Sequence, residues 1–424
     1  MKKSLRMLAL ILSALMLLTG AAAAEEVKEM VLATVDGVPV PIKDAYAEYS
    51  MYADTYEMYG FGEGAIKELR EEIADYYIQL HLIYAKADEL GVAEQLDEAA
   101  IQAEADQLFE ENLALYMEYY ADPEATEEEN RAKCTEQLAA DGYTIDSARE
   151  DAYHRACLRA LVDYCSEGVA VNDEEVRAHY DDTLAAQTES YGKYISNFKS
   201  DWEAGRPVYI IPEGIRYVKH ILVSLSDGNQ ANLYNYELEL SGIENQLKQE
   251  GADTEALNAR KEELAQLIED TYAVIMPRVQ EIQGRLEAGE DFLELMTEYG
   301  EDPGMQEGSA SYETGYMVWE GCSSWVAPFT EGSMSLEKVG DVTGPVRTSY
   351  GIHLIRFESE MEGRTVPFEE VKETIYEDLL SEKINDAFMN ALAEWQESAE
   401  IVLFTDNLET LRQEAHAQAQ AAAE

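Results

Sequence analysis

Two strand-like runs constrain this chain most. One is Tyr217-Val218-Lys219-His220-Ile221-Leu222-Val223, and the other is Gly351-Ile352-His353-Leu354-Ile355. Each is a short apolar run rich in β-branched residues, and each carries one histidine in similar surroundings. Between them lie a long charged segment and the run Arg285-Leu286-Glu287-Ala288-Gly289-Glu290-Asp291-Phe292, and just before the second stands Gly344-Pro345-Val346-Arg347-Thr348. Everything outside the stretch from Tyr217 to Arg356 reads as a helical frame that presents it.

That frame is legible in order. Val31-Leu32-Ala33-Thr34-Val35 and Val38-Pro39-Val40 flank Asp36-Gly37, a small hairpin signature. Amphipathic helices are predicted over about 42–59, 64–90, 94–120, 126–141 and 145–166, most of them separated by glycine or proline breaks. Asn172 reads as the cap of a further helix with acids in its first turn. Tyr46, Tyr49, Tyr52, Tyr56 and Tyr59 recur at three- and four-residue steps. This spacing favours a core stripe with hydroxyls at its edge over a client-binding surface. Residues 206–216 form a linker. The charged segment 229–286 carries apolar residues three and four apart and reads as an antiparallel helical hairpin inserted into the central module, with Pro277 kinking its second arm. A last helix over about 367–396 and the short strand Glu400–Phe404 follow, the strand a candidate partner for Val31–Val35. The tail from Arg412 is expected to fray.

Charge and export signals bound the function. The 424 residues hold 31 Lys+Arg against 86 Asp+Glu, a net charge of −55. A polyanion of this size is repelled by nucleic acid and by anionic membrane faces, and favours basic or neutral partners. Lys2, Lys3 and Arg6, the apolar run Met7–Leu18 and Ala22-Ala23-Ala24 have the pattern of a signal peptide. The mature chain is then expected to begin at Glu25 and to be exported, and Ala21 stands where a lipoprotein would need cysteine. Cys134, Cys157, Cys165 and Cys322 do not make a disulfide scaffold, although Cys134 with Cys157 stays open. No pair has zinc-site spacing.

The order of His220-Ile221-Leu222, Gly289-Glu290-Asp291-Phe292 and Val342-Thr343-Gly344-Pro345-Val346-Arg347-Thr348 through Ile355 resembles the parvulin-type peptidyl-prolyl cis/trans isomerase domain. With the helical frame, the chain is similar to extracytoplasmic foldases and chaperones of the PrsA and SurA type. The resemblance implies a multidomain protein. Its mainly α-helical chaperone domain spans 25–205 and is completed by a C-terminal helix and strand at 361–405, followed by a tail at 406–424. Its α+β parvulin domain spans 206–360 and carries the hairpin at 229–286.

The same resemblance implies the site. His220 and His353 match paired histidines on neighbouring strands, with Thr348 as a third member of their network and Asp302 near the substrate carbonyl. Phe329 matches the aromatic wall of a proline pocket; Trp325, Tyr350 and Thr314 stand where methionine, a small residue and leucine are usual. The implied activity is isomerisation of X-Pro bonds in unfolded exported proteins, with no cofactor. The alternative is a catalytically inactive parvulin-fold chaperone that only binds clients, motivated by those three departures. The helical regions are also where a homodimer would be expected to form.

Overall fold

The structure, a computed structural model, describes residues 30–249 and 253–423; the leader-like segment 1–24 lies outside them. The described chain packs as two units, one of residues up to Val171 together with those from Glu377, the other Asn172–Tyr376.

The first unit is helical around a small sheet. β1 (Val31–Val35) and β2 (Val38–Pro41) form the expected hairpin, with Asp36 and Gly37 both at positive φ. A tight two-residue turn of this hand needs that conformation, which Asp-Gly supplies at low steric cost. Helices α1 (Lys43–Met58), α2 (Glu63–Glu89), α3 (Glu98–Tyr120), α4 (Glu127–Ala140) and α5 (Ile145–Cys165) follow. Tyr49 is fully buried and Tyr46 and Tyr56 pack against the same core, whereas Tyr59 stays 72% exposed. The tyrosine stripe is thus core on one side and surface at its end. The four cysteines, all among the described residues, are unpaired.

The second unit supplies the sheet. It opens with α6 (Asp173–Lys193), whose cap Asn172 accepts from the Glu174 and Glu175 amides, and α7 (Ile195–Glu203). The sequence boundaries at 205/206 and 360/361 fall inside this unit. The reason is packing: Tyr180 donates to the Val366 carbonyl at 2.6 Å, and Tyr191 and Phe198 share a core with Ile215, Val318 and Phe357.

β3 (Ile210–Ile211) leads into the ten-residue β4 (Ile215–Ser224), and then come α8 (Asp227–Gln246) and α9 (Thr254–Ala273). These two helices form the hairpin. Pro277 does not kink its second arm. It sits in the first turn of a separate helix, α10 (Met276–Glu287), where its missing N–H costs nothing. Nor is the segment 229–286 wholly an insertion, because Leu233, Tyr272, Val279 and Ile282 pack in one core with Ile221, Val223, Ile352 and Leu354. α11 (Phe292–Tyr299), α12 (Ala310–Thr314), β5 (Tyr316–Val318), α13 (Ala327–Met334), β6 (Val346–Thr348), β7 (Gly351–Met361) and β8 (Arg364–Thr365) complete the unit. The motif Gly289–Phe292 is a helix junction: Gly289 takes a positive φ, Asp291 caps the next helix through the Leu293 and Glu294 amides, and Phe292 is buried.

The main sheet has the order β5-β4-β7-β6 and is antiparallel throughout. β4 and β7 are the two strand-like runs, paired over most of their length. Gly351 sits where a Cβ would overlap the Val223 carbonyl, so only glycine lets β7 start this close to β4.

α14 (Phe368–Ser398) spans the division between the units, which falls after Tyr376. β9 (Ile401–Leu403) then pairs antiparallel with β1 on the edge opposite β2. The expected frayed tail is instead a helix, α15 (Asp406–Ala423). Leu408, Leu411 and Arg412 are buried, and Arg412 bridges Asp54, Glu57 and Glu409. Leucines and a paired guanidinium at this helix's start outweigh the weakly committed Ala-Gln repeats at its end.

Candidate active site

The two histidines meet because strand register places them there. In the β4–β7 ladder His220 faces Ile355 and Leu222 faces His353, so both rings lie on the same side of the sheet, two residues apart along it. Their Nδ1 atoms are 3.1 Å apart. His353 Nε2 lies 2.9 Å from Thr348 Oγ1, which hangs from the facing end of β6. On the other side His220 Nε2 is 3.3 Å from Asp302 Oδ2. His220, Thr348 and His353 are each no more than 3% exposed.

Asp302 is held from its own loop. It caps the short turn Pro303–Met305, its Oδ1 accepting from the Gly304 amide at 2.7 Å and from the Tyr316 hydroxyl at 2.7 Å. The preceding Glu301 anchors this loop to β4, its amide donating to the Leu222 carbonyl. Burial alone would raise the Asp302 pKa. The His220 ring, the Tyr316 hydroxyl and the Gly304 amide outweigh that and hold it at about 2. His353 goes the other way. Burial, reinforced by His220 beside it, lowers its pKa to about 3, so its ring is neutral.

A carboxylate facing Nε2 of His220 requires a proton there. Each of the other two contacts, Nδ1 to Nδ1 and His353 Nε2 to Thr348 Oγ1, holds one proton, and because His353 is neutral its tautomer sets the direction of both. The result is one buried chain of contacts, Thr348 to His353 to His220 to Asp302, in which the His353 ring is neutral.

An aromatic wall stands over this floor. Phe329, buried on α13, lies edge-on to His220 at 5.0 Å and to His353 at 5.2 Å between ring centroids. Trp325 stacks on Tyr316 at 4.1 Å, and its indole N–H donates to the Met317 carbonyl at 3.0 Å. Six of the eight site residues named from sequence therefore adjoin: His220, Asp302, Thr348, His353, Phe329 and Trp325. The other two are exposed. Thr314 ends α12, and the Tyr350 ring points outward at 53% exposure while its amide donates to Thr348 Oγ1.

Tyr316 was not singled out from sequence, yet it touches Asp302, His220 and Trp325. Its neighbour Gly304 is the legible trace: a Cβ there would overlap the Tyr316 hydroxyl. Nothing in a Pro-Gly turn tells which side chain it makes room for.

The fold and this buried network define a parvulin-type isomerase domain, and comparison with known proteins agrees. The family model for the PPIC-type PPIase domain (rotamase) matches residues 263–359. The foldase protein PrsA of Clostridium botulinum (strain Loch Maree) is 22% identical over 357 residues, covering 84% of this chain and 80% of that one. PrsA of a Geobacillus species (strain WCH70) is 34% identical over 115 residues, 27% of this chain and 39% of the other. A solved SurA-like chaperone of Campylobacter jejuni is 18% identical, with 88% of this chain and 98% of the other covered and a TM-score of 0.27. The chain carries a PPIC-type isomerase domain and is similar over most of its length to PrsA foldases, and it is a peptidyl-prolyl cis-trans isomerase and chaperone.

Proposed function

We propose that this isomerase acts on X-Pro bonds of unfolded or partly folded exported proteins, with Phe329 and Trp325 gripping the prolyl ring over the Asp302–His220–His353–Thr348 floor. The observation that carries the reading is the buried chain of contacts from Thr348 through His353 and His220 to an ionised Asp302. Twisting a prolyl bond costs ~18–20 kcal/mol because amide resonance is lost, and the carbonyl oxygen gives up partial negative charge as it twists. A catalyst gains rate by binding that twisted amide better than either planar form. An anionic Asp302 near the carbonyl repels the more negative planar oxygen, and the neutral His353 ring offers it no cationic partner. The twisted state suffers least, and no bond to the protein need form. Thr314 and Tyr350, both solvent-facing, would meet client residues flanking the proline.

The test is an NMR-exchange or protease-coupled assay on proline peptides. Wild type is expected to catalyse, whereas His220→Ala, Asp302→Asn and His353→Ala each lose about tenfold to a hundredfold in kcat/KM, the scale of a hydrogen bond to a charged group. An inactive wild type that still suppresses client aggregation would overturn the assignment of turnover to this site. Export rests on the pattern of residues 1–24, and mass spectrometry of secreted material should find Glu25 as the first residue.

A further inference from the structure

Thr348 closes the chain of contacts, yet it sits on a short edge strand of the sheet. β6 has three residues and lies at the sheet edge, paired with β7 alone among the described strands. Short edge strands have weakly specified register. A displacement of well under 1 Å would already lengthen the 2.9 Å contact from Thr348 Oγ1 to His353 Nε2.

Support arrives from the opposite face. The side of the sheet bearing Ile221, Val223, Ile352 and Leu354 is covered by the hairpin and by α10 and α11, whereas the histidines face Phe329. From that covered side the Tyr272 hydroxyl, on α9, donates to the Thr348 carbonyl at 3.0 Å. Tyr272 is only 4% exposed. Burial, with Glu237 nearby, pushes its pKa up to about 12, so at neutral pH the group is always a donor. The adjacent Arg347 lies over the Tyr272 ring at 4.9 Å and forms a two-pronged pair with Glu269, one turn earlier on α9, at 2.6 and 2.9 Å. Two consecutive residues of β6 are thus fastened to one helical turn of the hairpin.

We infer that Tyr272 is a positioning residue for the isomerase site: the hairpin clamps β6 from behind through the Thr348 carbonyl, and so fixes the Thr348 hydroxyl on His353 Nε2 and the His353 tautomer. The inference rests on the proposed role of the Thr348–His353 chain. It gives the hairpin a task inside this unit, beside any partner it binds.

Tyr272→Phe tests it, since only the buried hydroxyl is removed and the ring keeps its packing. The expected result is a fall in kcat/KM of about twofold to tenfold, the scale of one neutral hydrogen bond. The His353 imidazole ¹⁵N resonances should move from the pattern of a single tautomer toward a mixture of tautomers, with the thermal unfolding curve little changed. Catalysis and His353 resonances both identical to wild type would overturn the clamp and leave the proposed function standing. If wild type proves inactive, the proposed function fails, and the tautomer shift alone still decides for or against the clamp.

Discussion

Asp302 keeps its charge in a half-buried position because the His220 ring, a tyrosine hydroxyl and a backbone amide converge on it. Gly304 makes that convergence sterically possible. Gly304→Ala is therefore expected to push the Tyr316 hydroxyl off Asp302 and to mimic Tyr316→Phe, each lowering kcat/KM by about fivefold to twentyfold. The double variant should be no worse than either single, because both remove one interaction; additive losses in the peptide assay would refute the link. Protonation makes a second residue-scale prediction. Unfolded, His353 takes a proton near its ordinary pKa of 6.5; folded, it is held to about 3. Between those values the unfolded state binds the extra proton, so folding stability should fall as pH drops from about 6.5 toward 3. Asp302, held at about 2 against 3.8, adds a loss at still lower pH. Urea unfolding followed across pH checks this, and His353→Gln should flatten the slope between pH 6.5 and 3. An unchanged slope would mean that the ring is not held neutral by the fold.

At the scale of elements, α15 is the piece whose role was least visible. The Arg412 side chain is 3% exposed and pairs with Asp54 on α1 at 2.8 Å, while Tyr49 on α1 donates to Glu409. Arg412→Leu should cost about 1–3 kcal/mol by stranding these carboxylates and the tyrosine network, read as an earlier transition in denaturant. Truncation after residue 405 should cost more, since it also removes Leu408 and Leu411 from the core. Retention of full stability by the truncated chain would show that the helix is a passenger. The hairpin teaches the converse lesson. Its helical spacing was legible, but its reach into the isomerase core was not, because that reach depends on which apolar face, with Leu233 and Tyr272, meets the sheet and on one tyrosine hydroxyl and one Arg–Glu pair.

For the whole molecule, charge makes a prediction about partners. At −55 the chain is expected to attract basic segments of unfolded clients over a range set by the Debye length, about 8–10 Å near physiological salt. Capture of a lysine-rich unfolded client in an aggregation-suppression assay should weaken severalfold between about 0.05 and 0.5 M salt, while isomerisation of a short neutral peptide changes little. Equal salt dependence of both would put the electrostatic attraction at the isomerase site itself.

By itself the sequence determined what is local. The 2- and 3.6-residue periods placed β4, β7 and most helices, Asp-Gly and Asn172 placed a turn and a cap, and three motifs in order pointed to the isomerase domain. These are statements about a residue and its near neighbours, where backbone sterics dominate. The tertiary structure alone decided what joins distant parts. It placed Tyr316 on Asp302, Tyr272 behind Thr348, and α6 with the sheet. It also folded the expected loose tail onto the first helix. Each of these is a choice between near-equal local options, settled by burial of a hydroxyl or guanidinium that must find a partner once water is excluded.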